Sequence, residues 1–318
     1  MEEVFVPPST NVWIGIAGVM ALVIGFVAAR RELQAAVGLD KLVAVGRVLY
    51  AAPLAAFGAE HLALGRLILG AVPVWMPVRL FWVYFVGIAL IAAAFSLALG
   101  IRVRLTVTLL AVMFLLFVLM IHMPNAVAKV HDRFIWNVAM RDLSFGAGAL
   151  ALAGSLGSGA GIRESGDRGE NVAVWVGRVV IAVVLMVYGV ELILFPQFAP
   201  GVPLEKLTPA WVPGPHVWAL LTGLVCIGGG VAILIRRYCR DGATAVGLVM
   251  TLLTLFLYLP ILLMASGAPA LLEGANYVWD TLLFAGAVLL VAEGAPRVRY
   301  SAALADEVGG VTADPVRG

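Results

Sequence analysis

GRVLYAAPLAAFGAEHL, residues 46–62, is an apolar run with an arginine near its start and one carboxylate, Glu60, 13 residues further on. The frame returns at 177–195 as GRVVIAVVLMVYGVELILF, where Glu191 again follows its arginine, Arg178, by 13 residues. Glycine, arginine, valine and the Gly-x-Glu pair all recur at an offset of 131. A second string, PVWMP at 73–77, returns as PAWVP at 209–213. With 16 Pro and 8 Trp in 318 residues, chance supplies one such pattern in roughly 0.02 of chains, before a second copy is asked for. Trp82, Gly87 and Arg104 recur as Trp218, Gly223 and Arg240 at offset 136, and Asp142 and Gly148 as Asp280 and Gly286 at 138. The offset grows only between blocks, as expected of a duplicated unit whose connections later lengthened.

Composition names the solvent. Hydrophobic residues make up 62% of the chain, charged residues 13%, and mean hydropathy is +1.03. A water-soluble domain of that balance would expose large apolar patches, so the medium is a lipid bilayer. Apolar runs at about 11–29, 42–62, 80–99, 105–123, 134–154, 172–194, 216–235, 243–265 and 276–293 are long enough to cross ~30 Å of hydrocarbon as helices. The expected fold is an all-α polytopic membrane protein of nine transmembrane helices: two parallel four-helix repeats plus one extra amino-terminal helix.

The expected organisation has an amino-terminal helix and cytoplasmic connector at 1–41 and a first repeat at 42–154. A polar Gly/Ser-rich linker follows at 155–171, then a second repeat at 172–294 and a disordered cytoplasmic tail at 295–318. Each repeat has an even number of spans, so both copies enter the membrane in the same sense, about an axis along the membrane normal. Of the 21 Lys and Arg, fifteen fall in one alternate set of loops; the other six are Arg66, Arg79, Lys129, Arg133, Arg141 and Lys206. The positive-inside rule places the richer set in the cytoplasm, with the amino terminus outside and the carboxy terminus inside. The acidic start, MEEVFVPPSTNVW, lacks a basic leader region, and the first run ends in Arg30 and Arg31. It reads as a retained span.

Charges inside lipid-spanning segments cost ~2.5–3.5 kcal/mol each, so each calls for a functional hypothesis. Spacing from the arginines puts Glu60 and Glu191 about 20 Å along their helices, in the outer part of the bilayer. Arg141 and Asp142 fall about two turns into their span and Asp280 in the first turn of its own. All four histidines, His61, His122, His131 and His216, fall on the same side. Glu60, Glu191, Arg141, Asp142, Asp280, His61, His122, Trp75 and Trp211 are therefore the candidate ligand-binding or proton-handling residues. Simpler readings stand beside these. Near a helix start the dipole stabilises an aspartate, and tryptophans anchor helices at the membrane interface. No HxxxH or HxxE spacing supports a metal site. Walker A, GxSxG, HExxH and nucleic-acid-binding patterns are absent. Cys226 and Cys239 lie at different depths, which argues against a disulfide or thiol relay.

GRVLYAAPLAAFGAEHL, the hairpin FWVYFVGIALIAAAFSLALGIRVR (81–104) and MRDLSFGAGALALAG (140–154) together resemble the DoxX/DoxD-like family of small four-helix membrane proteins. The stretch from GRVV through ANYVWDTLLFAGAVLLVA (275–292) looks like the same unit again, so the resemblance covers about 42–293. It rests on the G-R…G-x-E helix and on the R-D-L or D-T-L-L start of the fourth helix. The doubling and the extra first span depart from the family's single unit. The resemblance implies a bacterial cytoplasmic-membrane protein, and a membrane subunit of a quinone-linked oxidoreductase with a soluble redox partner. The resemblance leaves the cofactor unknown and allows a quinone, with Glu60 and Glu191 as proton-handling or hydrogen-bonding groups and Arg141, Asp142 and Asp280 holding them in place. A small-solute or proton carrier and a non-catalytic scaffold for a protein complex are the alternatives.

Overall fold

The computed structural model describes residues 8–157 and 171–295. The expected linker, 155–171, and tail, 295–318, lie almost wholly outside the described residues. Helices fill the rest: α1 (Pro8–Ala28), α2 (Arg30–Ala35), α3 (Asp40–Ala44), α4 (Gly46–Ala63), α5 (Gly65–Ile68), α6 (Arg79–Ala98) and α7 (Val103–Phe117). After them come α8 (Met123–Ala128), α9 (Arg133–Gly157), α10 (Val172–Leu194), α11 (Pro215–Leu234), α12 (Cys239–Leu253), α13 (Leu259–Met264) and α14 (Ala268–Gly294). Among the described residues there is no β-strand, only an isolated bridge between Phe198 and Leu207.

Seven helices are long and apolar enough to cross a membrane, and eight if α4 and the segment after it, bent by 91°, count as one span. The remaining expected span, 134–154, is α9. It forms 25 helical residues, but Asn137, Arg141 and Asp142 lower its apolarity. Exposed Trp13, Val23, Phe85, Ile88, Leu109, Val187 and Leu224 are scattered over the outer helices. Such a surface suits acyl chains rather than water.

Packing runs in a closed ring, α4–α6–α7–α9–α10–α11–α12–α14–α4, with α9 and α14 also touching across the middle and α1 laid on α4. Small residues make the close approaches, because lipid offers no hydrophobic drive and helices gain chiefly from backbone proximity. A Cβ at Gly148 would lie 2.4 Å from the Ala287 carbonyl oxygen, which fixes α9 against α14. Gly58 and Gly87 face each other where α4 crosses α6, and Gly189 and Gly223 do the same where α10 crosses α11. Of the Gly228–Gly230 run, Gly229 abuts Val246 and Gly230 abuts the Ala182 carbonyl, while Gly228 meets nothing. Cys226 and Cys239 are free and buried.

The two Pro-Trp-Pro strings end alike. Trp82 Nε1 donates to the Pro77 carbonyl and Trp218 Nε1 to the Pro213 carbonyl, each at 3.0 Å. The next residue turns into the helix with a left-handed backbone: Val78 at φ 47° and Gly214 at φ 59°. Glycine adopts that conformation freely, whereas a β-branched residue is strained in it. At the opposite end of the bundle Arg47 pairs with Glu32 (3.0 Å) and Glu293 (3.1 Å), and Arg240 with Asp40 (2.6 Å). These bonds clamp the α1–α4 connector onto α14 and α12.

Val78→Gly is expected to stabilise the protein by about 1 kcal/mol, since relief of the left-handed strain outweighs the flexibility glycine adds to the unfolded chain. Gly214→Val should lose a similar amount. Thermal unfolding in detergent measures both, and a drop in Tm for Val78→Gly would show that the turn is unstrained.

Candidate functional site

Two prolines create the local geometry on which the site depends. Pro124 and Pro260 lack the N–H that would bond one turn back, and each follows a helix that widens into a single π-helical turn, Val118–His122 and Thr254–Tyr258. A widened turn next to a proline re-aims the side chains on it, and such turns cluster at functional positions. The first turn directs His122 inward and the second directs Tyr258 inward.

His122 Nε2 lies 2.8 Å from Asp142 Oδ2. The other oxygen of Asp142 accepts from Arg141 Nε at 2.9 Å, and Arg141 Nη1 reaches across to Asp280 Oδ2 at 2.6 Å. This quartet joins the π turn after α7 to α9 and α14. Asp142 and Asp280 are buried, at 6% and 5% exposure. Helical rise puts Asp142 about 13 Å and Asp280 about 18 Å from the starts of α9 and α14.

That depth corrects an expectation. The apolar run puts Asp280 in the first turn of a span beginning at 276, but α14 begins eight residues earlier at Ala268. A dipole acts within the first turn, so neither aspartate owes its charge to a helix end. Arg141 supplies the compensation.

Glu60 and Glu191 occupy flanking positions, and among the described residues their direct hydrogen bonds go to groups other than Arg141, Asp142 and Asp280. Glu191 instead accepts from Arg133 Nη1 at 2.9 Å and Asn137 Nδ2 at 2.8 Å, both on α9. Glu60 accepts a long bond, 3.4 Å, from Asn276 Nδ2 on α14. Each glutamate thus reaches an asparagine that precedes an aspartate of the quartet by four or five residues. The buried Asn276 Oδ1 has no hydrogen-bond partner among the described residues. Arg133, Asn137 and Asn276 were missed in the sequence, where an asparagine in an apolar run was the one available signal.

The other expected residues lie apart. His61 donates from Nδ1 to the Phe57 carbonyl at 2.8 Å, within its own helix. Trp75 and Trp211 are 67% and 45% exposed and face outward as interface anchors do. His131 and His216 are exposed. Among the described residues, no group of three or more His, Cys, Asp or Glu could hold a metal ion.

Beyond the quartet, at the same end of the bundle, an open cleft of ≈ 1030 Å³ is lined by Lys129, His131, Asp132, Arg133, Phe198 and Glu205, among others. Arg133 also stacks over Phe198, 4.4 Å from its centroid. Partial desolvation raises the Glu205 carboxyl above the ordinary carboxylate range. Arg133 opposes this, and Asp132 and Glu273 add to it.

Compared with protein-family models, curated proteins and solved structures, the chain matches none of them.

Arg141→Leu leaves two facing buried carboxylates and is expected to cost about 3–5 kcal/mol. Adding Asp142→Asn and Asp280→Asn should recover most of that loss. Chemical unfolding of the single and triple variants in detergent distinguishes the cases. Equal losses would mean that the charges are not coupled.

Proposed function

We propose that this protein is a DoxX-like membrane subunit of an envelope redox system, handling the protons that accompany a quinone. The observation that carries this is the charge count of the quartet. Arg141 holds a fixed positive charge, whereas Asp142 and Asp280 bring two negative ones. The group is neutral only with one further proton, held on His122 or on a carboxyl. Uncompensated charge at membrane depth is costly, so a mobile proton belongs to the resting state.

Reducing a quinone to a quinol takes up two electrons and two protons. A soluble redox partner would supply both electrons, the quartet one proton, and water of the outer cleft the other. Among the described residues Glu60 has only the long bond to Asn276, and the Asn276 amide oxygen has no hydrogen-bond partner. Both oxygens accept, so together they suit the hydroxyls of a quinol, and a quinone carbonyl only when Glu60 carries the proton it would donate. Glu191 is already engaged by Arg133 and Asn137 and acts as a structural partner.

Several features support the twin-unit architecture of the family. The matched glycine crossings, the Trp–Pro caps and the paired proline-linked π turns recur at the offsets read from the sequence. α9, about 37 Å long by helical rise, serves as the ninth span. The loop charge bias supports a bacterial cytoplasmic-membrane protein with its amino terminus outside, its carboxy terminus inside and the quartet toward the outer face. The unbalanced quartet also favours a second reading, a proton or small-solute carrier.

Purified wild-type protein is expected to retain solvent-extractable quinone, and Glu60→Gln to lower its occupancy at least tenfold with Tm nearly unchanged. Wild-type protein free of quinone, but showing pH-dependent flux in proteoliposomes, would reject the redox reading for the carrier.

A further inference from the structure

The connection between α10 and α11 is built unlike the one between α4 and α6. Where the latter stays at the surface, residues 199–204, APGVPL, are all buried. Buried irregular backbone survives only where protein satisfies its polar groups, and here three elements do so. Val202 N–H donates to Thr281 Oγ1 at 3.5 Å, and the Ala199 carbonyl accepts from Tyr258 Oη at 3.3 Å. The Leu204 carbonyl accepts from Arg133 Nη1 at 2.8 Å, and Gly201 lies against the Tyr258 ring. Below this tip the chain closes into a neck. Phe198 bridges Leu207, Ala199 N–H donates to the Lys206 carbonyl at 2.7 Å and Thr208 N–H to the Gln197 carbonyl at 3.0 Å. A tight neck carrying a compact tip is an Ω-type loop, able to move as one body.

Its position gives it a task. Phe198, Glu205 and Leu207, at or beside the neck, line the ≈ 1030 Å³ cleft. The tip rests on Thr281, the residue after Asp280. The loop therefore stands between an open, charged cleft and the buried quartet.

We infer that residues 197–208 form a hinged plug that closes an aqueous route from the outer cleft to the His122–Asp142–Arg141–Asp280 quartet. This deepens the proposed proton-handling role, on which it rests, by naming how the site is reached. A proton held out of reach of water stays on the quartet. When the tip withdraws from Tyr258 and Thr281, the quartet exchanges its proton with the cleft.

One glycine makes the plug testable. Gly201 has φ 153°, and a Cβ there would lie 2.4 Å from Tyr258, so Gly201→Ala pushes the tip out of its seat. Thr281→Cys, fully buried in the closed state, reports on the seat; the native Cys226 and Cys239 are both buried. With a membrane-impermeant maleimide applied to sealed right-side-out vesicles, Thr281→Cys should label slowly. Adding Gly201→Ala should raise the rate at least tenfold. In inside-out vesicles both should stay at the background of the parent chain. Unchanged labelling in the double variant, or equal labelling from both sides, overturns the inference. Should the double variant misfold, hydrogen–deuterium exchange on the wild type decides. Amides of 199–204 are expected to exchange at least tenfold faster than those of α14 around Asp280, and equal protection overturns the plug. The quinone reading fails separately. It falls if no quinone is bound while the labelling pattern persists, whereas a fixed plug leaves quinone occupancy intact.

Discussion

The fork of Arg141 between Asp142 and Asp280 is the constraint on which the rest depends. One guanidinium joins the two helices that cross the middle of the bundle. A lone aspartate at that depth would be untenable; a shared arginine with two well-placed bonds makes a pair of them tolerable. The close glycine contact of α9 with α14 brings the three groups within reach. The proline-linked π turn adds His122. Backbone packing and charge pairing are thus one arrangement: loosening either separates the carboxylates from their cation.

The glutamates extend this arrangement sideways. Glu60 on α4 reaches α14, and Glu191 on α10 reaches α9. In each case the partner is an asparagine about one turn from an aspartate of the quartet. The two sides differ in how much is satisfied. Among the described residues Glu191 holds a cation and an amide, whereas Glu60 holds an amide alone, at a longer distance. That inequality separates a residue that locks helices from one with bonding capacity to spare.

Much of this was legible in the sequence, and the parts that were not have physical reasons. Helix positions followed from apolar runs, since little but a helix satisfies its own backbone in lipid. Charges in those runs marked the candidate residues. Their pairing was not legible, because Arg141–Asp280 is a contact over 139 residues and depends on which helices meet. Asp280 was placed too near a helix start because ALLEGAN breaks the apolar run while remaining helical. Lipid-facing character ends at the interface, but hydrogen bonding does not. Arg133 has the look of a loop cation in the sequence, yet α9 begins with it, one helical turn before Asn137. The buried APGVPL segment carries every mark of a surface turn, and the groups that seat it, Thr281, Tyr258 and Arg133, lie 59 to 79 residues away in the chain.

α14 has the lowest mean hydropathy among the seven most apolar helices, 1.5, and 94% of its span is enclosed by protein. It also follows in the chain every helix it packs against. During synthesis the ribosome therefore delivers the axial rod after its surroundings are already in the bilayer. Until then Arg141 pairs with Asp142 but lacks Asp280, and a vacant groove runs down the bundle. Assembly of the core is thereby postponed to a late stage of translation, and a nascent chain interrupted before residue 268 is a natural substrate for membrane quality control.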